Sequence, residues 1–399
     1  MSDQPRYHYV ILGAGRQGTS AAYDLARHGD AAQITLADLD AARAQESAAR
    51  VNRLAGRAVA EGCAIDVTDH RALVALLAGA DAALSAVPYY YNPGITRAAI
   101  EAGVHLCDMG GHTGIVLEQL EMAPAAREAG VSILPDCGMG PGLVNVLAVY
   151  VMELLDETRE VYVYDAGLPQ NPEPPWNYEL TFHINGLTNE YDGEVELIRD
   201  GRRVSVEALS ECQMVDLDRL GVFESFIAAG GSTAPRTFEG LLDRFETRIL
   251  RYPGHYAWFK GFKTLGLFST EPLQVGDQTV IPREVYHALL APHIVKPGIR
   301  DICLMRAKGV GSRDGQPATV VVDLVDRYDE ATGFTGLERL TGWHCAIMLA
   351  MQARGIIPPG AKALEALLLD GTPTAGEVMA AVRERGIEFT VRYEGRDVN

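Results

Sequence analysis

Residues 7 to 18, YHYVILGAGRQG, decide the fold of the N-terminal half of the chain. An apolar segment suited to a buried β-strand runs into a GxGxxG turn, and TSAAYDLARHG then continues at helical spacing. This order of strand, glycine turn and helix indicates a Rossmann-type dinucleotide site, with the pyrophosphate at the helix N-terminus. The cofactor contacts expected in this turn are Gly13, Gly15, Arg16, Gln17 and Gly18.

The second predicted strand, QITLAD, ends at an acidic residue, Asp38. It follows the first glycine near the offset of about 20 residues at which such folds place a carboxylate beside the adenosine ribose. A carboxylate there accepts hydrogen bonds from the ribose hydroxyls and repels a 2′-phosphate, so the sequence predicts NAD as the cofactor. Arg43 is the opposing signal, since it can reach a 2′-phosphate or simply pair with Asp38 or Asp40.

Strand-like and helix-like segments keep alternating over about 150 residues, which predicts a parallel sheet covered by helices on both faces. Ligands of such sheets bind beyond the carboxyl ends of the strands. Tyr89 and Tyr90, at the start of a helix, are expected to contact the substrate, with packing as the alternative. The further cofactor contacts expected at strand ends are Asp66, Ser85, Val87, Pro88 and Gly138.

The stretch CDMGGH, which follows GVHL, is predicted to end the fifth strand. Cys107 is expected inside the buried strand and Asp108 at its carboxyl end. Gly110 and Gly111 let the backbone turn beneath the nicotinamide, so that the turn presents His112 to the cleft. A structural imidazole after a glycine turn is the alternative.

The formal net charge of −18 and the pI near 5.0 give a surface that repels phosphate backbones and anionic lipids. Nucleic acids and membranes are therefore not expected as partners. The N-terminus lacks a basic segment followed by a long apolar one, and a cytoplasmic chain is expected. The six cysteines are scattered without CxxC or Cys/His spacing, so reduced thiols and no metal site are predicted.

From about residue 159 the pattern changes to alternating polar and apolar residues, as in EVYVYDAG, YELTFHING, EVELIRDG and RRVSVEAL. Such segments predict strands of a mixed or antiparallel sheet with one covered face. Near the end, TGWHCAIMLAMQARG returns to a strongly apolar helix. The sequence thus predicts an α/β fold with a Rossmann domain at 1–142, a second α+β domain at 143–340, and a segment at 341–399 that returns to the first domain.

Three clusters in the second half are candidates for substrate binding. The proline-rich stretch LPQNPEPPWNYE contributes Trp176 and Tyr178, which form either an aromatic wall or part of a rigid linker. The loop GGSTAPRT offers Thr233 and Arg236, and the arginine suits a substrate carboxylate, with a surface ion pair as the alternative. RYPGH adds His255.

The chain resembles the saccharopine dehydrogenase-like oxidoreductases, and most closely the L-lysine 6-dehydrogenases, through GAGRQG, LADLD, CDMGGH, PDCGMGPG, PEPPWNYE, GGSTAPRT and RYPGH. The resemblance implies a Rossmann domain interrupted by a substrate-binding domain that also helps to form a homodimer. It implies NAD-dependent oxidation of the ε-amino carbon of L-lysine to an imine. Water then releases ammonia and 2-aminoadipate 6-semialdehyde, which cyclises to piperideine-6-carboxylate.

Amine oxidation requires a residue that accepts a proton, because hydride leaves only from a neutral amine, whereas a lysine side chain has a pKa of about 10.4. Only five of the 35 basic residues are lysines and none precedes Lys260, so His112 is the expected base, with Asp108 as its orienter or as an alternative base. Arg236 or Arg248 is expected to bind the substrate carboxylate. The open choices for the α-ammonium group are Glu173, Glu179 and Asp165.

Two other functions fit the same sequence. Relatives of this layout act on saccharopine or carboxynorspermidine, and a reductase that forms such secondary amines would prefer NADPH, against which Asp38 argues. A non-catalytic NAD-binding redox sensor is the second alternative. The polar groups expected around the nicotinamide, His112, Tyr89 and Arg236, favour an enzyme.

Overall fold

The computed structural model describes residues 6–394. The strands are β1 (Tyr7–Leu12), β2 (Ala31–Asp38), β3 (Ala60–Ala64), β4 (Ala82–Ser85), β5 (His105–Asp108), β6 (Ser132–Leu134), β7 (Glu157–Pro169), β8 (Glu194–Arg199), β9 (Arg202–Glu207), β10 (Ser210–Asp216), β11 (Val222–Ile227), β12 (Arg244–Arg251), β13 (Leu273–Val275), β14 (Gln278–Val280), β15 (Asp301–Arg313), β16 (Gln316–Arg327), β17 (Gly360–Ala361) and β18 (Phe389–Glu394). The helices are α1 (Arg16–His28), α2 (Ala41–Ala55), α3 (His70–Leu77), α4 (Asn92–Ala102), α5 (Thr113–Glu121), α6 (Ala123–Glu128), α7 (Leu143–Glu153), α8 (Ile184–Tyr191), α9 (Ala234–Phe238), α10 (His255–Thr264), α11 (Pro282–Ile294), α12 (Gly336–Glu338), α13 (His344–Ala353), α14 (Leu364–Leu369) and α15 (Ala375–Glu384). A π-helical turn, Arg339–Trp343, joins α12 to α13, and 3₁₀ turns lie at Tyr89–Tyr91 and Asp218–Leu220.

The first sheet of the described chain has seven parallel strands in the order β17-β6-β5-β4-β1-β2-β3. Strand order reverses between β1 and β4, which pair in parallel along their whole shared length. Both strands are apolar and buried, as parallel strands covered by helices on two faces must be. The doubly wound α/β fold predicted from the sequence is confirmed, and its ligand site belongs where the order reverses.

The second sheet has nine strands within the described chain and is mixed. Its central strand β7 pairs in parallel with β12 and antiparallel with β15, and β15 continues into a long hairpin with β16. Met305 and Ala307 of β15 face the core shared with α7, whereas Leu304 faces the core that contains Phe259 of α10 and Leu290 of α11. The sheet is therefore covered on both faces, not on the one face predicted.

The stretch YELTFHING was predicted as a strand, and that prediction is wrong. Residues 178–181 form no strand, and α8 begins at Ile184 after His183, whose Nδ1 accepts a hydrogen bond from the Asn185 amide. Leu187 and Tyr191 are buried on one side of α8. The helical spacing of these apolar residues was masked by the alternation just before it.

The C-terminal segment joins both domains. Helix α13 packs on α1, β4 and β5, and β17 extends the first sheet beside β6. The last strand differs from expectation, since β18 pairs antiparallel with β16 of the second sheet. An ion pair between Arg392 and Asp323 ties these two strands together at 2.5 Å. No helix within residues 6–394 has the length and apolar character needed to cross a bilayer.

Candidate active site

The glycine turn between β1 and α1 is shaped for a dinucleotide. A Cβ on Gly13, whose φ is +101°, would lie 2.6 Å from the Ala86 carbonyl oxygen, and one on Gly18 would lie 2.0 Å from that of Gly13. Beside Gly15, at the N-cap of α1, a Cβ would meet no atom within 4 Å. The turn is thus tightly packed beneath and open above, so the free N–H groups of the helix N-terminus can meet a pyrophosphate.

The opposite side of α1 is held by the C-terminal helix. Gly342 allows a close approach, because a Cβ there would lie 2.8 Å from the Gln17 carbonyl oxygen. Ser20 donates to the Glu338 carbonyl oxygen at 2.8 Å, and Arg16 Nε donates to the Glu338 carboxylate at 2.5 Å. Arg16 therefore pairs with Glu338 of α12, which is 322 residues away in sequence, whereas the buried Gln17 Oε1 has no hydrogen-bond partner among the described residues.

Asp38 lies at the end of β2, where the sequence placed it. Its Oδ2 accepts a hydrogen bond from the Ala14 amide at 2.9 Å and its Oδ1 accepts one from the Asp40 amide at 3.0 Å, so the carboxylate is fixed beside the glycine turn. Leu39 next to it is 77% exposed, an apolar surface suited to an adenine ring. In the described part of the chain, Arg43 forms an ion pair with neither Asp38 nor Asp40.

The remaining predicted cofactor residues lie beyond strand ends but are held differently. Asp66 is exposed after β3, and hydrogen bonds from the Thr68 hydroxyl and amide lower its pKa. Ser85 is buried and its hydroxyl donates to Asn92 at 2.7 Å, which makes it a support of the turn. Val87 Cγ1 lies 3.2 Å from the position of a Cβ on Gly13, so it lines the same turn.

His112 is exposed at the N-cap of α5. Its ring stacks on Tyr89, which follows Pro88 beyond β4, with centroids 5.5 Å apart and planes inclined by 17°. Tyr90 is 58% exposed and meets Tyr89 edge-on. The imidazole thus bridges the ends of β4 and β5 in contact with solvent.

Asp108 does not contact His112. It is buried, and its Oδ1 accepts hydrogen bonds from the Gly110 amide at 2.8 Å and the Asp136 amide at 3.2 Å. Its Oδ2 accepts one from Gln119 at 2.7 Å. The expectation that Asp108 orients the imidazole is therefore wrong. Asp108 instead fixes the turns that follow β5 and β6, because the buried carboxylate needs these donors.

Asp136, just after β6, is a buried carboxyl group that the sequence analysis passed over. It is 2% exposed, has φ of +61°, and neither of its oxygens has a hydrogen-bond partner among the described residues. A Cβ on Gly110 would lie 2.1 Å from its Oδ1, so the glycine makes room for it. Burial, reinforced by the nearby Asp108 carboxylate, raises the pKa of Asp136 to about 8, and the Ser232 hydroxyl offsets part of this rise.

The GGST loop of the second domain lies against the first. Ser232 donates to Thr113 at the start of α5 at 3.4 Å. Thr233 is buried and donates to Glu365 of α14 at 2.7 Å, while Asn145 of α7 donates to the other Glu365 oxygen at 3.0 Å. These contacts hold the loop against α5 and α14, and Thr233 is paired with Glu365.

A buried polar cluster in the second domain surrounds Arg251. Its Nε donates to the Tyr191 hydroxyl at 2.7 Å and its Nη2 to Glu190 at 3.1 Å, and its guanidinium lies 5.2 Å from the Tyr178 ring centroid. Burial raises the pKa of Glu190 to about 8, although Arg251 acts against this. The Tyr178 hydroxyl has no partner in the described chain.

His255 completes the Arg251 cluster. Its Nε2 lies 3.0 Å from the Tyr191 hydroxyl, and burial together with Arg251 lowers its pKa well below the usual range. Because Arg251 donates to the Tyr191 oxygen, the hydroxyl proton is directed at His255 Nε2, which leaves the proton of the neutral ring on Nδ1. That Nδ1 is buried without a partner in residues 6–394.

Asp165 connects the two polar regions. A Cβ on Gly140, in the loop after β6, would lie 3.1 Å from Asp165 Oδ2, and the side chain is half-buried on β7. Burial raises its pKa to about 6, against the effect of Arg251. Gly138 lies in the same loop, and a Cβ on this residue would lie 2.8 Å from the Met109 carbonyl oxygen. Two carboxyl groups thus lie near the loop after β6: Asp136 of the first domain and Asp165 of the second.

The family profiles cover almost the whole chain. The profile described as the saccharopine dehydrogenase C-terminal domain matches residues 138–387, and that of the saccharopine dehydrogenase NADP binding domain matches residues 9–134. The chain belongs to the saccharopine dehydrogenase family. The resemblance noted from its motifs is confirmed at the family level, and the N-terminal profile supports a nicotinamide dinucleotide site.

Individual members of the saccharopine dehydrogenase family match over different lengths. Saccharopine dehydrogenase [NADP(+), L-glutamate-forming] of Saccharomyces cerevisiae is 23% identical over 43% of this chain, a segment that spans only 39% of the yeast protein. Carboxynorspermidine synthase of Vibrio cholerae is 26% identical over 78% of this chain and 79% of its own length.

Solved structures show the same fold. Saccharopine dehydrogenase (L-Glu forming) from Saccharomyces cerevisiae has a TM-score of 0.79 at 17% identity and covers 97% of this chain and 100% of its own. Homospermidine synthase from Legionella pneumophila, in complex with NAD, has a TM-score of 0.66 at 11% identity, with coverage of 98% and 93%.

Two arginines predicted to bind substrate in this saccharopine dehydrogenase family member already have carboxylate partners. Arg236 of α9 donates through Nε and Nη2 to Glu196 of β8, both at 3.0 Å, and both side chains are partly exposed. Arg248 is buried and donates to Glu246 at 2.9 Å and to Ser225 at 3.2 Å. Both predictions are corrected, because each guanidinium is already paired with a carboxylate of the protein.

The proline-rich stretch divides between packing and the Arg251 cluster. Trp176 packs against Trp258, Phe262 and His293, as a structural residue would. Tyr178 is the member that reaches the guanidinium. Three carboxylates were considered for the α-ammonium group. Glu173 forms an ion pair with Lys296, and Glu179 lies near the same lysine. Of the three, only Asp165 lies beside the loop that follows β6 of the first sheet.

Asp136 is the cleft residue that no sequence motif singled out. It follows β6 much as Asp108 ends β5, whereas Arg251 stands in RYPGH and was offered there together with His255. Position after a predicted strand was sufficient to nominate Asp136 as a cleft residue. The pairing of Arg251 with Glu190, 61 residues away, was not accessible from local pattern.

Proposed function

We propose that the chain oxidises the ε-amino group of L-lysine with NAD, giving 2-aminoadipate 6-semialdehyde and ammonia. The observation that carries this proposal is the placement of two carboxyl groups, Asp136 and Asp165, at the cofactor strand ends and a buried guanidinium, Arg251, beyond them. An amino acid with a terminal amine presents the complementary charges: a cation at one end and a carboxylate at the other.

The residues that would hold the cofactor fit a dinucleotide. The open space above Gly15 at the N-terminus of α1 suits the pyrophosphate, and Asp38 suits the ribose. The nicotinamide, when bound, supplies a hydride acceptor. We infer NAD because the fixed Asp38 carboxylate would repel a 2′-phosphate.

The Arg251 cluster supplies unused donors for a substrate carboxylate. Arg251 has five N–H groups, of which three are engaged with Tyr191, Glu190 and a backbone carbonyl. The Tyr178 hydroxyl and the His255 Nδ1 proton are buried without partners in the described chain. Buried donors left unpaired are costly, so a carboxylate that accepts from them is strongly favoured.

The exposed side of the site is assigned to proton exchange with water. His112 is accessible and fixed against Tyr89, so we assign it the release of the substrate's proton to solvent. On the opposite side we assign the GGST loop, whose Ser232 donates to Thr113, the role of limiting the access of water. This arrangement keeps the reacting carbon dry while leaving a path for the proton.

The homodimer implied by the resemblance is also a proposal. Exposed apolar side chains gather on α10, α11 and the β13–β14 hairpin, which are consecutive elements of the second domain. They are Trp258, Leu265, Leu273, Val275 and Leu289. A second copy that covers this face would bury them. Analytical ultracentrifugation of the wild type and of Leu289→Glu tests this, since a dimer of both would contradict the assignment of the face.

A secondary-amine reductase is the alternative function. It is favoured by the relatives, whose names describe saccharopine dehydrogenase, carboxynorspermidine synthase and homospermidine synthase. Arg43, which forms no ion pair with Asp38, would then contact the 2′-phosphate of NADP.

A substrate panel decides between the two functions. L-lysine, other ω-amino acids and polyamines are each incubated with NAD or NADP, and the reduced nicotinamide is followed by absorbance. We expect a signal with L-lysine and NAD that increases toward alkaline pH, because more of the amine is then neutral. A signal only in the reductive direction, from an aldehyde, an amine and NADPH, would overturn the proposal.

A further inference from the structure

Asp136 is unusual among the buried carboxyl groups near the cofactor strands. Asp108 receives three hydrogen bonds, and Glu365 receives hydrogen bonds from Thr233, Thr237 and Asn145. Asp136 receives none from the described residues, although it is 2% exposed. A carboxyl group that is desolvated without donors is stable only if it keeps a proton or meets a cation.

No cationic side chain of residues 6–394 acts on Asp136. The charged groups that act on it are the carboxylates of Asp108 on β5 and Glu365 on α14, and both favour protonation. The nearby Ser232 hydroxyl, on the GGST loop, opposes them, although it does not reach hydrogen-bond geometry with Asp136 and donates to Thr113 instead. The position therefore has a negative field and no resident positive charge, which is the complement of an ammonium group.

The position of Asp136 also fits the reacting end of a substrate. It follows β6, and its Oδ1 lies against Gly110 in the turn after β5. Carboxyl ends of strands in this half of a doubly wound sheet line the ligand crevice. Asp165, by contrast, lies on β7 near Arg251, on the side where the substrate's α-carbon groups would bind.

We propose that Asp136 is the catalytic residue that receives the reacting ammonium group of the substrate and takes its proton. The inference rests on the proposed amine oxidation and replaces His112 as the first proton acceptor. His112 is too exposed to hold a neutral amine in a dry site, and Asp108 has no oxygen free of protein donors. His112 then returns the proton to water.

The chemistry balances with a nicotinamide dinucleotide as the oxidant. The ammonium group gives one proton to the Asp136 carboxylate and becomes a neutral amine. The C–H bond at the adjacent carbon breaks with its electron pair leaving as hydride, and the nitrogen lone pair forms the C=N bond of an iminium ion. Water adds to that carbon, and the iminium is converted to the aldehyde and an ammonium ion.

An acid with a pKa of about 8 is suited to this exchange, since its proton affinity lies near the working pH. In the free protein near neutral pH, Asp136 is mostly protonated. A bound ammonium group stabilises the carboxylate form, so binding must release a proton to solvent. Proton release on binding is therefore a signature of the inference that does not depend on turnover.

The experiment measures L-lysine binding by calorimetry at pH 7, without cofactor, in buffers of different ionisation enthalpy. We expect the wild type to release close to one proton per site and Asp136→Asn to release none. The matched control is Asp200→Asn, which makes the same change at a left-handed residue (φ +51°) exposed in the β8–β9 turn, and it should behave as the wild type. Equal proton release by Asp136→Asn and wild type would overturn the inference.

Turnover separates this inference from the proposed function. With L-lysine and NAD, we expect kcat of Asp136→Asn to fall by about 10²-fold to 10⁴-fold. If the wild type oxidises lysine and the variant keeps its kcat, only the role of Asp136 fails; if the wild type oxidises no amine, the proposed function fails. Should the variant not fold, infrared difference spectra of the wild type remain decisive, because loss of a protonated carboxyl band on lysine binding is required.

Discussion

Replacing Asp136 by asparagine should make the protein's stability less dependent on pH. Burial raises the pKa of this group from 3.8 to about 8, so between these values the native protein holds a proton that the unfolded chain has lost. The free energy of unfolding therefore falls as pH rises through this window, and the loss is complete above about pH 8. Asparagine does not titrate, so the free energy of unfolding of the variant does not show this decrease with rising pH.

The size of the effect follows from the same pKa difference. One proton held only by the native state changes the free energy of unfolding by about 1.4 kcal/mol per pH unit. Between pH 5 and pH 8 the upper limit is therefore about 4 kcal/mol. Water that penetrates between the domains of the native protein solvates part of the ionised carboxylate and reduces the cost of burying it. We therefore expect an observed change in the free energy of unfolding of about 2 kcal/mol.

Urea unfolding at pH 5 and pH 8 measures this difference, with Asp200→Asn as the surface control. The free energy of unfolding of the wild type and the control should fall by about 2 kcal/mol more than that of Asp136→Asn over this interval. Identical pH dependence in all three proteins would show that Asp136 is ionised in the native state, and the account of its environment would be refuted.

Three further predictions concern the cofactor site and the junction with the C-terminal segment. Gly18→Ala places a Cβ 2.0 Å from a carbonyl oxygen of the glycine turn, so cofactor affinity should fall by at least about 10-fold, as measured by fluorescence titration; an unchanged Kd would contradict the close packing. Asp38→Ser should shift the ratio of kcat/KM for NAD over NADP by about 10-fold toward NADP, and no shift would remove the basis for NAD. Arg385→Met leaves buried Asp24 without the partner it holds at 2.8 Å, and urea unfolding should show a loss of about 3 to 5 kcal/mol, against about 0 to 1 kcal/mol for the exposed pair broken in Arg354→Met.

The sequence contained enough local signal to predict the first sheet. The strand, glycine turn and helix at residues 7 to 28 rely on contacts between neighbours in the chain, and so do the strand ends at Asp38 and Asp108. The resemblance of ordered motifs extended the prediction to the family. For the second sheet the sequence predicted a mixed or antiparallel sheet but not the order of its strands. That order joins strands far apart in sequence, such as β7 with β12 and β15.

The candidate site was predicted less completely, for a physical reason. A motif shows which side chains are available but not which of them already have partners. Arg236 and Arg248 are paired with Glu196 and Glu246, whereas Asp136 is unpaired, and only the packed structure distinguishes these cases. The most informative property of the site, an unsatisfied buried group, is thus a property of packing and has no counterpart in the sequence pattern.

The return of the C-terminal segment to both sheets has a consequence for how the chain folds during synthesis. Helix α13 covers β4 and β5, and Gln352 donates to backbone carbonyls of Leu106 and Ser132. Until residues 344–361 leave the ribosome, the first sheet lacks this helix and its edge strand β17. During synthesis the apolar strands of the N-terminal half are therefore exposed to solvent until this segment is complete. We expect the N-terminal half to aggregate when it is expressed alone. Productive folding then depends on late, long-range contacts, which makes it slow for a chain of this size.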